Sequence, residues 1–281
     1  MDRRRVVFCT YPGIYSSLVL ERLLRSDAIE VVGIVCSSRV WKRDSGRIGG
    51  GLELVQRTGL GYAFHLFCIT GLFELLYRAG ALRPVQRVAR ERSIARLETV
   101  DINSTEARGF LLSVQPDVIL CANFNQRLGP AVLEIPRVAC LNIHPSLLPR
   151  FRGVDPVFHA LLRGETRLGV SLHHMDRGFD TGDLLAQGAL PAVPGRSQFL
   201  HYARLFELGA EIAVAVIPGL EPGQGGADQG DGGEYDSWPT ADAVADFARR
   251  GWRLLTPADY LKVLRDGTGA PRRPRRLPAG G

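Results

Sequence analysis

Residues 141–156, LNIHPSLLPRFRGVDP, close an apolar run with Asn142, His144 and Ser146 at alternate positions and then break into proline, arginine and glycine. Alternate side chains of a strand share a face, so the three polar groups are expected to point one way at the strand's end. Further along, Asp180 stands in a glycine-flanked turn, RGFDTGD. An amide, an imidazole and a carboxylate can together run non-covalent acyl transfer. Asn142 and a protonated His144 would donate to a developing oxyanion. Asp180 would hold the imidazolium and relay the proton that leaves an attacking amine. Nothing calls for a covalent route: Ser146 has no G-x-S-x-G elbow around it, and no cysteine lies in the loop. The same residue types also cap strands and satisfy backbone groups, so the chemistry depends on what positions them.

The positioning elements read as alternating strands and helices. RVVFCTY (5–11), IEVVGIVCS (29–37), PDVILCANF (116–124) and VACLNIH (138–144) are short apolar runs that suit parallel strands buried on both faces. Residues 15–25 carry leucines at helical spacing between the first two. IARLETVDI (94–102) reads as a strand, followed by a helix over 103–115 capped by Asn103 or Ser104. A short helix over 128–136, a helix over 156–165, an alternating strand over 167–176 and a long helix over 194–219 complete the pattern. This predicts an α/β fold: a Rossmann-like, mostly parallel sheet flanked by helices, with a small C-terminal helical extension. Ligands of such sheets bind beyond the carboxyl ends of the strands, where Asn142 and His144 fall. The first turn, TYPGIYSS, has no G-x-G-x-x-G, so a nicotinamide or flavin cofactor is not expected.

The domain boundaries follow from the same pass. Residues 1–193 are expected to form the catalytic domain, with an irregular insertion at about 39–92. Residues 194–281 form the extension, with a glycine-rich linker at 220–233, two short helices and a disordered basic tail. Within the insertion, LGYAFHLFCITGLFELLYRAGAL (60–82) is strongly apolar but interrupted by His65, Glu74 and Arg78. A buried or capping helix pair is expected there rather than a membrane span, with a homodimer or other apolar contact through 60–82 as the alternative use.

The chain has 281 residues, 23% of them charged and 45% hydrophobic, an ordinary globular balance. Its net charge of +6 comes from arginine, since Lys42 and Lys262 are the only lysines. Arg3, Arg4 and Arg5 make one end basic, and Arg272, Arg273, Arg275 and Arg276 the other; solvated tails are expected rather than a nucleic-acid interface. The five cysteines include no C-x-x-C pair, so no metal is expected and the compartment is read as reducing. The apolar run at the N-terminus is too short for a signal peptide, which points to the cytoplasm.

LNIHPSLLPRFRG followed by GVSLHHMDRGFDTGDLLAQ resembles the folate-dependent formyltransferases, a family that includes methionyl-tRNA, glycinamide ribonucleotide, nucleotide-sugar and hydroxyornithine formyltransferases. Their N-x-H, S-L-L-P and D-x-G-x-D-x-G elements occur here in order. The likeness is strong over 94–190 and weaker over 5–36. It implies 10-formyltetrahydrofolate as cosubstrate, a primary or hydroxylated amine as acceptor, and catalytic roles for Asn142, His144 and Asp180. It also implies that the pterin ring docks against main chain near Gln126, Arg127 and Leu128 and along a loop containing Met175, Asp176 and Phe179. NFNQRLGP departs from the commoner family wording at that strand end.

A small-molecule amine is the expected acceptor, first a nucleotide-linked amino sugar and second hydroxyornithine or another amino acid. The tRNA branch carries a strand-rich C-terminal barrel for which residues after 194 leave no room, so tRNA is not expected. His173 matches the nucleotide-sugar and ribonucleotide branches, and EYDSWPTADAVADFARRGWRLL (234–255) resembles the tail of small-molecule formyltransferases. The acceptor-side candidates are Tyr11, Ser146, Arg150, Arg152 and His173. Arg150 and Arg152 either pair a phosphate or carboxylate of the acceptor or are solvated loop charges, and Tyr11 either lines the pocket or packs. Hydrolysis of the formyl-folate, and an inactive folate-binding or interaction module, are the rival functions.

Overall fold

The computed structural model of the protein describes residues 3–39, 46–230 and 232–266. The basic cluster at 272–276 lies outside the described residues. The chain opens with β1 (Arg4–Thr10), α1 (Ile14–Leu23) and β2 (Ile29–Ser37), the unit that the first two apolar runs predict. The insertion is helical: α2 (Gly46–Thr58), α3 (Leu60–Phe67), a π turn (Cys68–Leu72), α4 (Phe73–Leu76) and α5 (Val85–Glu91). Then β3 (Ala95–Thr99), α6 (Thr105–Val114), β4 (Val118–Ala122), α7 (Pro130–Leu133) and β5 (Ala139–His144) restore the alternation. The second half holds β6 (Arg152–Gly153), α8 (Pro156–Leu162), β7 (Arg167–His174), β8 (Leu184–Pro191), α9 (Gln198–Val216), β9 (Tyr235–Asp236), α10 (Ala241–Arg249) and α11 (Pro257–Asp266).

Seven strands make one sheet in the order β3-β2-β1-β4-β5-β7-β8, and β6 pairs with β9 apart from it. The first five strands of that order are mutually parallel, while β7 and β8 add antiparallel to β5. Central β1 is apolar on both faces because both are covered. Its Val6 and Phe8 join the larger core with α1 and α9, and its Val7 and Cys9 join a second core with Ala107, Leu111 and Val132. Ser104 caps α6, its side chain accepting from the Ala107 N–H. Asn103 instead accepts from the Gly129 N–H at 2.6 Å and donates to the Arg127 carbonyl at 3.0 Å, which pins the loop after β4.

The long helix begins at Gln198, capped by Ser197. It lies close on the sheet: a Cβ at Gly209 would meet Ile143 Cγ2 at 2.4 Å. Burying Phe199 and Phe206 from this helix contributes roughly 2–3 kcal/mol each. The glycine-rich segment after it, which composition reads as a linker, runs back over the sheet edge through a bridge between Leu184 and Ala227. All five cysteines are free and buried.

Burial pushes His65, His173 and His201 each down to about 4. Unfolding at pH 5 would therefore take up protons at these rings, because their unfolded forms titrate near 6.5. Stability is expected to be fully present above about pH 6.5 and to fall as pH drops from there towards 4. The loss is about 1 kcal/mol per pH unit for each proton taken up. Urea unfolding midpoints at pH 7, 6 and 5 test this, and the His173→Asn variant should show a shallower slope.

Candidate active site

Asn142 and His144 project from the same face of β5, as alternation requires. The antiparallel register sets His173 directly opposite Asn142 and Ser171 opposite His144, so both share that face. Ser171 then organises the loop beyond β5, donating to the Ser146 carbonyl at 2.6 Å and accepting from the Leu148 N–H at 3.2 Å.

Four polar side chains converge here. Asp180 Oδ1 lies 3.4 Å from Asn142 Nδ2, 3.5 Å from His144 Nδ1 and 3.8 Å from His173 Nε2. The other carboxylate oxygen, Oδ2, accepts from the Gly153 N–H at 3.0 Å. One oxygen is thus anchored, and the other sits at the focus of three nitrogens, each at long range.

The ring orientations follow from their remaining partners. His173 Nδ1 is 2.7 Å from the His174 carbonyl, so it carries the proton. Burial keeps this imidazole neutral down to about pH 4, leaving Nε2 as acceptor for the Asn142 amide at 3.2 Å. His144 Nε2 is 3.0 Å from the Phe151 carbonyl and donates to it, while Nδ1 turns toward Asp180.

Asp180 adopts φ 56°, and Gly153, across from it, φ 97°. A Cβ at Gly153 would meet the Asp236 carbonyl oxygen at 2.3 Å and the Tyr235 ring at 2.8 Å, so only glycine brings its N–H this close. Gln229, from the glycine-rich segment, donates to the carbonyls of Asp180 at 3.0 Å and Gly182 at 2.6 Å, and accepts from Arg152 at 3.0 Å. Gly153 closes the LNIHPSLLPRFRG motif, but its contact to Asp180 is long-range and has no local sequence signal, and Gln229 has none at all.

The other candidates are spread around this focus. Ser146 falls beyond the end of β5 and is buried, its hydroxyl donating to the Arg150 carbonyl at 2.9 Å. Arg150 turns away to Glu165, and Arg152 points to Gln229. Tyr11 follows β1, its N–H bonded to the Asn123 carbonyl at 2.8 Å. The Gln126 side chain is buried, accepting from the Ile102 N–H at 2.7 Å and donating to Ser37 at 2.7 Å and the Thr99 carbonyl at 3.1 Å. Leu128 is buried and Met175 half-buried in the second core. Asp176 accepts from the Gly178 N–H and the Thr181 hydroxyl, each at 2.8 Å, and so shapes the loop that presents Asp180. Arg127 reaches across to that loop, donating to the Arg177 carbonyl and lying 4.5 Å from the centre of the Phe179 ring.

The insertion meets the site from outside. Tyr62 of α3 donates to the Asp155 carboxylate, two residues past Gly153, and Gln198 of α9 donates to the same group at 2.7 Å. Burial and the Asp155 charge push the Tyr62 hydroxyl well above its ordinary value, which keeps it a donor.

The sequence model of formyl transferase matches residues 73–217, about half of the chain. The chain belongs to the formyl transferase family. The match covers Asn142, His144, His173 and Asp180. Among curated proteins, the chain is 39% identical over 141 residues to the methionyl-tRNA formyltransferase of Syntrophus aciditrophicus, covering 50% of this chain and 45% of that protein. It is 38% identical over 146 residues to that of Thermotoga maritima, covering 52% and 47%. The chain therefore matches just under half the length of these relatives. Among solved structures, glycinamide ribonucleotide transformylase 1 from Geobacillus kaustophilus superposes with a TM-score of 0.53 at 22% identity, covering 77% of this chain and 98% of that one. The sugar 3N-formyl transferase WlaRD, solved with dTDP and 5-N-formyl-THF, gives 0.53 at 16% identity, covering 84% and 70%. Both likenesses concern the fold, a seven-stranded, mostly parallel sheet flanked by helices.

In this formyl transferase chain, Gly153→Ala is expected to cost about 1–3 kcal/mol, because the added methyl strains a left-handed residue and drives the loop off Asp180. Thermal unfolding measures the loss. Ala at the exposed Gly164, also left-handed but open around its Cβ position, is the control for strain alone.

Proposed function

We propose that the chain is an N-formyltransferase that moves the formyl group of 10-formyltetrahydrofolate to an amine. The observation that carries this reading is the focus on Asp180 Oδ1. Two nitrogens held by β5, Asn142 Nδ2 and His144 Nδ1, converge on one point occupied by an anionic oxygen, which is what an oxyanion site requires. As the amine attacks the formyl carbon, Asn142 Nδ2 and Nδ1–H of a protonated His144, whose Nε2–H stays on the Phe151 carbonyl, exchange their long contacts to Asp180 for the formyl oxygen. Asp180, still anchored by Gly153, takes up the amine proton; the bond from the formyl carbon to N10 of the folate then breaks, and that proton passes to N10 to release tetrahydrofolate and the formylated amine. Neutral His173 accepts one N–H of the Asn142 amide, which leaves the other facing this point.

On the same reading, the pterin lies between residues 126–128 and the loop at 175–180. The Gln126 side chain is committed to Ile102, Ser37 and Thr99, so recognition there falls to main chain. Arg127 bridges the two sides of this gap through Arg177 and Phe179 and must swing aside to admit the ring.

The acceptor is a small metabolite, first a nucleotide-linked amino sugar and second hydroxyornithine or another amino acid. Arg152, joined to the Asp180 loop through Gln229, is on this reading the cation that meets an acidic group on the acceptor. Initiator tRNA is the second reading, favoured by the curated relatives, which are methionyl-tRNA formyltransferases.

The test is tetrahydrofolate formation from 10-formyltetrahydrofolate, alone and with nucleotide-linked amino sugars, hydroxylated amino acids and methionyl-tRNA. Turnover is expected only with an amine, and Asn142→Ala should lower it by about 100- to 1000-fold. Equal turnover without an amine would make the chain a hydrolase. Tight folate binding without turnover would make it a binding module.

A further inference from the structure

Two of the catalytic side chains take their orientation from one short loop. His144 Nε2 donates to the Phe151 carbonyl at 3.0 Å, and the Gly153 N–H donates to Asp180 Oδ2 at 3.0 Å. The backbone here is left-handed at every second residue, with φ 58° at Phe151, 97° at Gly153 and 49° at Asp155. Glycine takes this course freely. Phe151 and Asp155 hold it only where their surroundings impose it. At the upstream end, Ser146 donates to the Arg150 carbonyl at 2.9 Å. The buried Phe151 ring lies 5.1 Å from the guanidinium carbons of Arg150 and Arg163.

The downstream end is fixed by the Asp155 carboxylate. Oδ1 accepts from the Phe158 N–H at 3.3 Å and from Gln198 Nε2 at 2.7 Å. Oδ2 accepts from the Tyr62 hydroxyl and from Gln198 Nε2 at 2.8 Å. These donors are neutral, and a carboxylate held by neutral donors depends on each of them. His65, one turn beyond Tyr62, is held down to about 4 by burial and adds no charge at neutral pH. Phe158 lies in the first turn of α8 and Gln198 begins α9, whereas Tyr62 comes from the helical insertion. Tyr62, His65, Ile69 and Phe73 are buried on the insertion's inner face, and Leu60, Phe64, Phe67 and Leu75 are exposed on its outer one. No helix among the described residues is long and apolar enough to cross a membrane.

We propose that Tyr62, acting through Asp155, is a positioning residue for formyl transfer. Its hydroxyl holds residues 151–155 in the course that presents the Phe151 carbonyl to His144 and the Gly153 N–H to Asp180. The reaction it serves rests on the formyl-transfer reading, while the contact itself rests on the geometry of the loop. Without the hydroxyl, Asp155 loses one of its donors and relaxes from the left-handed region, and the Gly153 N–H withdraws from Asp180. The opposite side of the cleft stays in place, because Asn103 pins residues 127–129 separately.

Variants of the full chain test this, with kcat and KM measured on 10-formyltetrahydrofolate and whichever nucleotide-linked amino sugar or hydroxylated amino acid the parent formylates. Tyr62→Phe keeps the ring edge-on to Phe158 and Trp238 and removes only the hydroxyl. It is expected to lower kcat about tenfold and to leave KM for the folate within about twofold. Asp155→Asn, whose amide oxygen still accepts and which tolerates left-handed backbone, should retain more of kcat than Asp155→Ala. Tyr260→Phe is the control, since it removes a buried hydroxyl bond to the same insertion, 2.9 Å to the Cys68 carbonyl, away from the loop. It should lower the thermal midpoint and leave kcat within about twofold. A readout free of turnover is the Gly153 amide proton, which the Asp180 carboxylate draws downfield. It should move upfield in Tyr62→Phe and stay in Tyr260→Phe. The proposal is overturned if Tyr62→Phe lowers only the thermal midpoint, or if both phenylalanine variants lose kcat alike. If the parent forms no tetrahydrofolate with any amine, the formyl-transfer reading fails on its own. The Gly153 amide then decides alone: a shift in Tyr62→Phe supports the hold on the loop, and an unmoved resonance overturns it.

Discussion

The candidate site depends on one backbone hydrogen bond, from the Gly153 N–H to Asp180 Oδ2. A carboxylate drawn in among two imidazoles and an amide is costly unless part of it is fixed by a donor. Anchoring one oxygen leaves the other to face Asn142 and His144, while His173 holds the Asn142 amide. Both loops meet this demand with left-handed backbone, free of strain at Gly153 and strained at Asp180, and Gln229 clamps the carbonyls of Asp180 and Gly182. The sheet supplies two rigid strands, and this bond brings the third element to them.

A second carboxylate performs the same service one layer out. Asp155, also left-handed, caps α8 through the Phe158 N–H and accepts from Tyr62 and Gln198. It thereby joins the helical insertion, the loop beside the site and α9. The Tyr62 ring meets Phe158 and Trp238 edge-on, so its apolar body packs while its hydroxyl is spent on the charge. The insertion is consequently part of the wall around the active-site loop, although the parallel sheet could be built without it.

Much of this was legible in the sequence where a single physical demand dominates. Parallel strands covered on both faces must be apolar throughout, and β1, β2, β4 and β5 stand where their runs predict. Asn142 and His144 share a face because alternation leaves no choice, and His173 joins them through register. Ser146 does not, since β5 ends at His144 and the turn rotates the next hydroxyl into the loop. The roles of Gly153, Gln229 and Asp155 were not legible, because each acts through partners distant in the chain. The inner and outer faces of residues 60–76 could not be separated either: when both are apolar, the helical period carries no contrast. Arg150 shows the limit for charges, as its pairing with Glu165 depends on how far α8 extends.

The burial of all five thiols has a bearing on oxidative stress. Desolvation holds Cys36 near 12 and pushes Cys121 and Cys140 upward, so the reactive thiolate is scarce where these residues sit. Cys9 and Cys121 lie on adjacent strands in the second core, with no accessible surface to admit a peroxide or a glutathione molecule. The fold is thus insulated from the redox poise of its surroundings, and its sulfur serves as filler between sheet and helix.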